Sequence, residues 1–211
     1  MRHLGLILGC FFILNGCSGQ SKNNVSMDVE IPNGTPVAEA TLGAGCFWCV
    51  EAVFQELKGV YKVESGYTGG SVENPSYSDI TSGLSGHAEV ARITYDSDVL
   101  SFEFLLSVFF QTHDPTTLNR QGADVGTQYR SEIFYHDEDQ KETAERIIAE
   151  VNKSGAYDSP IVTKISSLGK YYPAEGYHQD YYLNNPNQGY CTYVIKPKLE
   201  KFRKVFKDYL N

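Results

Sequence analysis

The triplet Gly43-Ala44-Gly45 joins two segments of different periodicity, and that junction limits how the chain can fold. Upstream, Val37 to Leu42 alternates, with Ala38, Ala40 and Leu42 on one face, which predicts a strand. Downstream, Cys46, Cys49, Val50, Val53, Phe54 and Leu57 recur at helical spacing, while Glu51, Gln55, Glu56 and Lys58 fall outside that stripe. A strand that runs through a flexible turn into a helix therefore carries two inward-facing thiols at the helix N-terminus. Unpaired N–H groups and the helix dipole favour negative charge there, so Cys46 is expected to have a lowered pKa and a populated thiolate.

Further along, Tyr61–Tyr67 and Glu89–Tyr95 read as strands, and Phe102–Gln111 as an apolar helix stopped by Pro115. Gln128–Tyr135 alternates as a strand. Asp137–Ser154 is an amphipathic helix with Asp137 as cap and Gly155 after its end. Pro160–Ser166 reads as a strand, Ala174–Asn184 as a short helix, and "NPNQGYC" as a flexible lead into Cys191. The long segment "TGGSVENPSYSDITSGLSGHA" and a second polar loop ending at Gly126 are of a length that is usually functional or disordered. Strands and helices alternate without a βαβ rhythm. The expected class is α+β, a mixed β-sheet with flanking helices and long functional loops; 211 residues, 41% of them hydrophobic, suit a single domain.

The N-terminus reads differently. Met1-Arg2-His3 precedes an apolar run, Leu4–Leu14, that is too short to span a bilayer. "LNGC", Leu14 to Cys17, resembles a bacterial lipobox, which implies a signal over 1–16 and lipid attachment at Cys17; the alternative is an ordinary secretory signal cut nearby. Either reading exports the protein, and the first holds it on a bacterial membrane by its lipid, facing away from the cytoplasm. Residues 17–36 are polar and read as a tether, leaving 37–211 as the functional domain. A formal charge of −8 argues against a nucleic-acid partner.

With Cys10 in the signal and Cys17 acylated, three thiols remain, and an odd number cannot all pair internally. Cys46-x-x-Cys49 spacing suits disulfide exchange. A zinc site would need further ligands, and only Cys191 and scattered His87, His113, His136 and His178 are on offer, so no metal is expected. Val50 stands where c-type haem attachment needs His. Glu89 shares its strand face with Ala91, Ile93 and Tyr95; desolvation there would raise its pKa and make it a general acid, unless it pairs with Arg92. Phe47 and Trp48 lie off the buried stripe, either walling a cleft or packing under a loop. Tyr77 and Tyr129 are weaker candidates among fifteen tyrosines.

"GCFWC", "GYTGG", "PSYSDITSGLSGHAEVARITYD", "GTQYRS", "YHQDYY" and "NPNQGYC", in this order, closely resemble the A-type peptide methionine sulfoxide reductases over Val37 to Pro197. The resemblance implies thiol-dependent reduction of methionine-S-sulfoxide, free or in proteins, without a bound cofactor and with a thioredoxin-like dithiol as reductant. It implies that Cys46 attacks the sulfoxide sulfur and that Glu89 protonates its oxygen, with Tyr77 and Tyr129 bonding that oxygen. Phe47 and Trp48 would hold the methyl group, and Asp124 would be a polar residue of the same pocket. Cys46 would then carry a sulfenic acid, resolved by a second thiol. The commoner family pattern has Gly at position 49, so this chain offers two resolvers, Cys49 and Cys191. A mobile loop reaches a sulfenic acid more easily than a helix deforms, which favours Cys191 with Cys49 as a relay thiol. A thioredoxin-like disulfide oxidoreductase using Cys46 and Cys49 is the rival enzyme; a non-catalytic thiol- or metal-binding lipoprotein is the rival outside catalysis.

Overall fold

In a computed structural model, Val25–Asn211 are described; the expected signal over 1–16, Cys17 and the tether as far as residue 24 lie outside them. Six strands form one sheet: β1 (Val37–Ala44), β2 (Val60–Thr68), β3 (Ala88–Asp96), β6 (Ser131–Tyr135), β7 (Lys164–Ser167) and β8 (Tyr172–Pro173), in the order β7-β6-β1-β3-β2-β8. Only β6 and β7 pair in parallel, so the sheet is mixed. A two-stranded ribbon, β4 (Arg120–Gln121) with β5 (Asp124–Val125), stands apart. β1 and β3 are central, with Leu42 opposite Ala91 and Ala40 opposite Ile93, and all four are fully buried.

The helices are α1 (Phe47–Phe54), α2 (Tyr77–Thr81), α3 (Phe102–Thr112), α4 (Glu138–Ser154), α5 (Tyr181–Asn184) and α6 (Lys196–Val205). Asp137 caps α4 by accepting from Gln140 N, and left-handed Gly155 ends it, as its sequence predicts. α3 buries Leu105, Leu106, Val108, Phe109 and Phe110 against the core. α1 departs from its predicted amphipathicity. It lies between the sheet on one side and α5 and α6 on the other, so Phe47, Cys49, Val50, Glu51, Ala52, Val53 and Phe54 are all buried. A helix covered all round has no solvent face, and Glu51 is therefore inside.

Other boundaries also moved. The predicted strand at Gln128 begins at Ser131, because Thr127–Tyr129 form a 3-10 turn; that at Pro160 begins at Lys164. Of the helix expected over Ala174–Asn184, only the last turn is helical, since three backbone groups in this stretch bond to side chains instead of to one another. The segment after Thr68 holds α2, opened by a reciprocal Ser76–Asp79 capping box. Cys191 is not on a mobile loop. It opens a π-helical turn, Cys191–Ile195, that continues into α6, whose Leu199 and Phe202 pack inward. Nor is all of the expected tether free: Val25 N bonds Asn184 Oδ1, Met27 N bonds Asp180 Oδ1 and Val29 N bonds Tyr61 O, at 2.9, 3.2 and 2.8 Å.

Candidate active site

Cys46 is the last residue before α1, and its carbonyl accepts from Cys49 N at 3.0 Å. The sharp turn into the helix depends on Gly45, at φ 89°; a Cβ there would also lie 2.6 Å from the Gln121 side chain. The next amide, Phe47 N, donates to Glu89 Oε2 at 3.1 Å. The β1–β3 pairing brings this about, because the end of β1 runs past Glu89 so closely that a Cβ on Gly43 would lie 3.3 Å from its carbonyl. Glu89 is 1% exposed, and burial pushes its carboxyl up to about 8. The bland alternative for this residue does not hold, since Arg92 pairs with Glu64 at 2.5 Å.

Around this centre stand Tyr77, at the start of α2, and Tyr129, ending the 3-10 turn. Both are half-buried, and burial pushes their phenols up, Tyr77 to about 12, with the charges of Glu89 and Cys46 acting on each. Among the described residues no hydrogen bond engages either hydroxyl. Asp124 on β5 accepts from Tyr190 Oη at 2.7 Å, and that same hydroxyl lies 3.8 Å from Cys49 Sγ. The fold thus gathers Cys46, Cys49, Tyr77, Glu89, Asp124 and Tyr129 from five separate elements.

The two aromatics divide. Phe47 is 1% exposed, packed against the rings of Tyr67 and His178 at 5.7 and 5.0 Å. Trp48 is half-buried and lies flat on Tyr181, centroids 3.6 Å apart and planes within 7°, with Tyr190 edge-on at 5.8 Å. Its indole Nε1 donates to His178 Nδ1 at 3.1 Å. That acceptor role sets the histidine in its Nε2–H tautomer, 4.4 Å from Tyr77. His178, Tyr181 and Tyr190 received no role from spacing. The density of aromatics in "YHQDYY" and "QGYC" was the available signal.

The thiols reverse an expectation. Burial pushes Cys46 well up, reinforced by Cys49 and the Glu89 charge, while Cys49 falls to about 7, chiefly through hydrogen bonding from the neighbouring Cys46 thiol and with Lys198 assisting. The helix N-terminus is outweighed because Cys46 is desolvated beside a carboxyl. A crevice of about 160 Å³ is lined by Cys46, Cys49, Gln121, Asp124, Tyr190 and Lys198. Cys191 is fully buried near Cys49, whose charge raises its thiol after burial has done so. Among the described residues no three His, Cys, Asp or Glu side chains group so as to hold a metal ion.

Such a site can deliver a sulfur nucleophile and a proton to one polar bond while an indole face holds an apolar neighbour. Known proteins carry the same reading. Residues 38–210 match the family described as peptide methionine sulfoxide reductase. The chain is 54% identical over 173 residues to the peptide methionine sulfoxide reductase MsrA of Chromobacterium violaceum, covering 82% of this chain and 98% of that protein. It is 51% identical over 178 residues to that of Deinococcus radiodurans, covering 84% and 86%. Among solved structures, reduced Mxr1 of Saccharomyces cerevisiae matches with a TM-score of 0.70 at 33% identity, covering 80% and 96% of the two chains. Methionine sulfoxide reductase A of Corynebacterium diphtheriae matches at 0.67 and 32% identity, covering 81% and 86%. The chain belongs to the peptide methionine sulfoxide reductase family, and it is an enzyme that reduces methionine sulfoxide with its own thiols.

Proposed function

We propose that Cys46 is the nucleophile and Glu89 the acid of this reduction, acting on the S epimer of the sulfoxide. The observation that carries the reading is the Phe47 N–H···Glu89 contact, which holds a buried, protonated carboxyl beside the residue that bears the attacking sulfur. A neutral sulfoxide is a poor electrophile until its oxygen gains a proton, and Glu89 supplies it. As the Cys46 sulfur attacks the substrate sulfur, its proton passes to Cys49, the more acidic thiol. Tyr77 and Tyr129 donate to the developing oxyanion, Asp124 orients the polar side, and Trp48 holds the methyl group. The products are a thioether and a Cys46 sulfenic acid, with Glu89 left as the carboxylate, so the charge that Cys49 carried has moved to Glu89.

We read Cys49 as the first resolver. It attacks the Cys46 sulfenic sulfur, a Cys46–Cys49 disulfide forms, and water leaves with the Cys49 proton. Its proximity and its pKa of about 7 favour it, whereas Cys191 must leave a helical turn to react and serves as the next thiol in the relay. A thioredoxin-like dithiol then exchanges into the pair through the Lys198 crevice, reducing the disulfide and becoming oxidised itself. The lipobox-like Leu14–Cys17 supports export and lipid attachment at Cys17, on a bacterial membrane outside the cytoplasm. Loss of membrane fractionation in Cys17→Ala tests that part.

The chemistry is tested with dithiothreitol and a racemic aryl methyl sulfoxide. One enantiomer should vanish and the other persist; equal consumption of both rejects the stereochemical reading. In a single turnover without reductant, Cys191→Ser should still lose two thiols per product, and Cys49→Ser should accumulate a sulfenic acid or a Cys191 disulfide. A Cys191→Ser enzyme that stalls with the sulfenic acid unresolved would move the first resolving role to Cys191.

A further inference from the structure

Glu51 is a second buried carboxyl beside the site, and the chemistry above does not use it. It lies on α1, 1% exposed, three residues after Trp48. Its Oε1 accepts from Asp180 N at 3.0 Å and from Ser65 Oγ at 3.2 Å, and its Oε2 accepts from Tyr181 N at 3.1 Å. Two consecutive backbone amides of the 174–181 stretch thus end on one side chain. Asp180 adopts a left-handed conformation at φ 51°, which turns both N–H groups toward α1. Gln55 Nε2 holds the Asp180 carboxylate at 2.7 Å, and Gln179 bonds Ser65 N and O at 2.9 Å each.

What this clamp holds is aromatic. Tyr181, whose amide Glu51 accepts, is the ring stacked on Trp48, and His178, three residues earlier, accepts the Trp48 indole N–H. We propose that Glu51 is a positioning residue for sulfoxide reduction: by fixing the backbone of Asp180 and Tyr181 it sets the plane in which Trp48 meets the substrate's methyl group. The proposal rests on Trp48 walling the substrate pocket. A carboxyl suits the position because each of its two oxygens meets a backbone N–H; an amide would turn its N–H₂ against one of them. Losing or reversing one of these bonds frees Tyr181 to tilt, and the indole follows it.

Trp48 is the chain's only tryptophan, so its emission reports the stack without substrate. In Glu51→Gln, the emission maximum and intensity are expected to change in a protein that still melts cooperatively. With dithiothreitol and an aryl methyl sulfoxide, KM should rise about ten-fold while kcat stays within about two-fold, the pattern of lost ground-state and transition-state binding together. Tyr181→Leu, which removes the stacked ring but leaves the clamp, should reproduce that KM change. Parental emission and parental KM in folded Glu51→Gln would overturn the proposal. So would a drop in kcat alone that tracks a lower Tm, which marks a structural role only. Changed emission with an unchanged KM would leave the clamp intact and reject Trp48 as the pocket wall. If Glu51→Gln does not fold, Ser65→Ala removes one of the three bonds and is read the same way, with a smaller shift expected and parental emission overturning the proposal.

Discussion

Glu89 and Glu51 are two carboxyls of the same chain, each 1% exposed and each pushed up to about 8 by burial. Their surroundings differ in one respect that decides what each can do. Glu89 receives a single donor, the Phe47 amide, and Tyr77, Tyr129 and Cys46 lie near enough for its charge to act on them. Glu51 is engaged by two backbone amides and the Ser65 hydroxyl, so both of its oxygens are already taken up by the protein. Burial alone therefore does not make a catalytic acid. A carboxyl with spare hydrogen-bonding capacity can exchange its proton with a substrate, while a saturated one works as a fixed anchor.

The comparison is bounded above by the nucleophile: Cys46→Ser should lower kcat/KM by at least about 10³-fold, read with dithiothreitol as donor. Glu89→Gln comes next, at about 10² to 10³-fold in kcat, with KM much less affected. The parent's rate should fall as pH rises through about 8, where Glu89 loses its proton, and that limb should vanish in Glu89→Gln. A parent rate that climbs steadily through this range would break the assignment. Stability follows the same sign. Below pH 4.5 both folded and unfolded chains hold the Glu89 proton; between 4.5 and about 8 only the folded chain does, so stability falls as pH rises across that window. Denaturant titrations should show a shallower fall in Glu89→Gln. The smallest effect belongs to an exposed carboxylate that is neither acid nor anchor: Asp137→Ala, which removes the α4 cap, should cost about 1 kcal/mol in urea unfolding and leave kinetics unchanged.

Much of the site was legible because its residues carry chemistry in their identity. Two thiols at helical spacing, a carboxyl on an apolar strand face and a run of motifs in order were enough to nominate Cys46, Cys49 and Glu89 and to indicate the family. Glu51 and Phe47 were misread for one reason. A periodicity argument assumes that a helix has a wet side, and α1 has none, being covered by the sheet, α5 and α6. Cys191 was misread for a similar reason. Asn, Pro and Gly before it indicate a flexible lead, yet the thiol itself begins a helical turn whose register is set by Ile195, Leu199 and Phe202 packing into the core.

From its own letters, then, this protein specified the local devices: the strand that ends in a glycine turn, the cap and stop of α4, and the residue types that a sulfoxide reduction needs. Those depend on neighbours a few positions apart, which a linear reading can reach. The charge on each thiol and the contrast between the two carboxyls were decided only in the folded molecule. Both depend on how completely water is removed and on which donors arrive from distant strands and loops, such as Asp180 and Tyr181, some 130 positions from the helix they clamp.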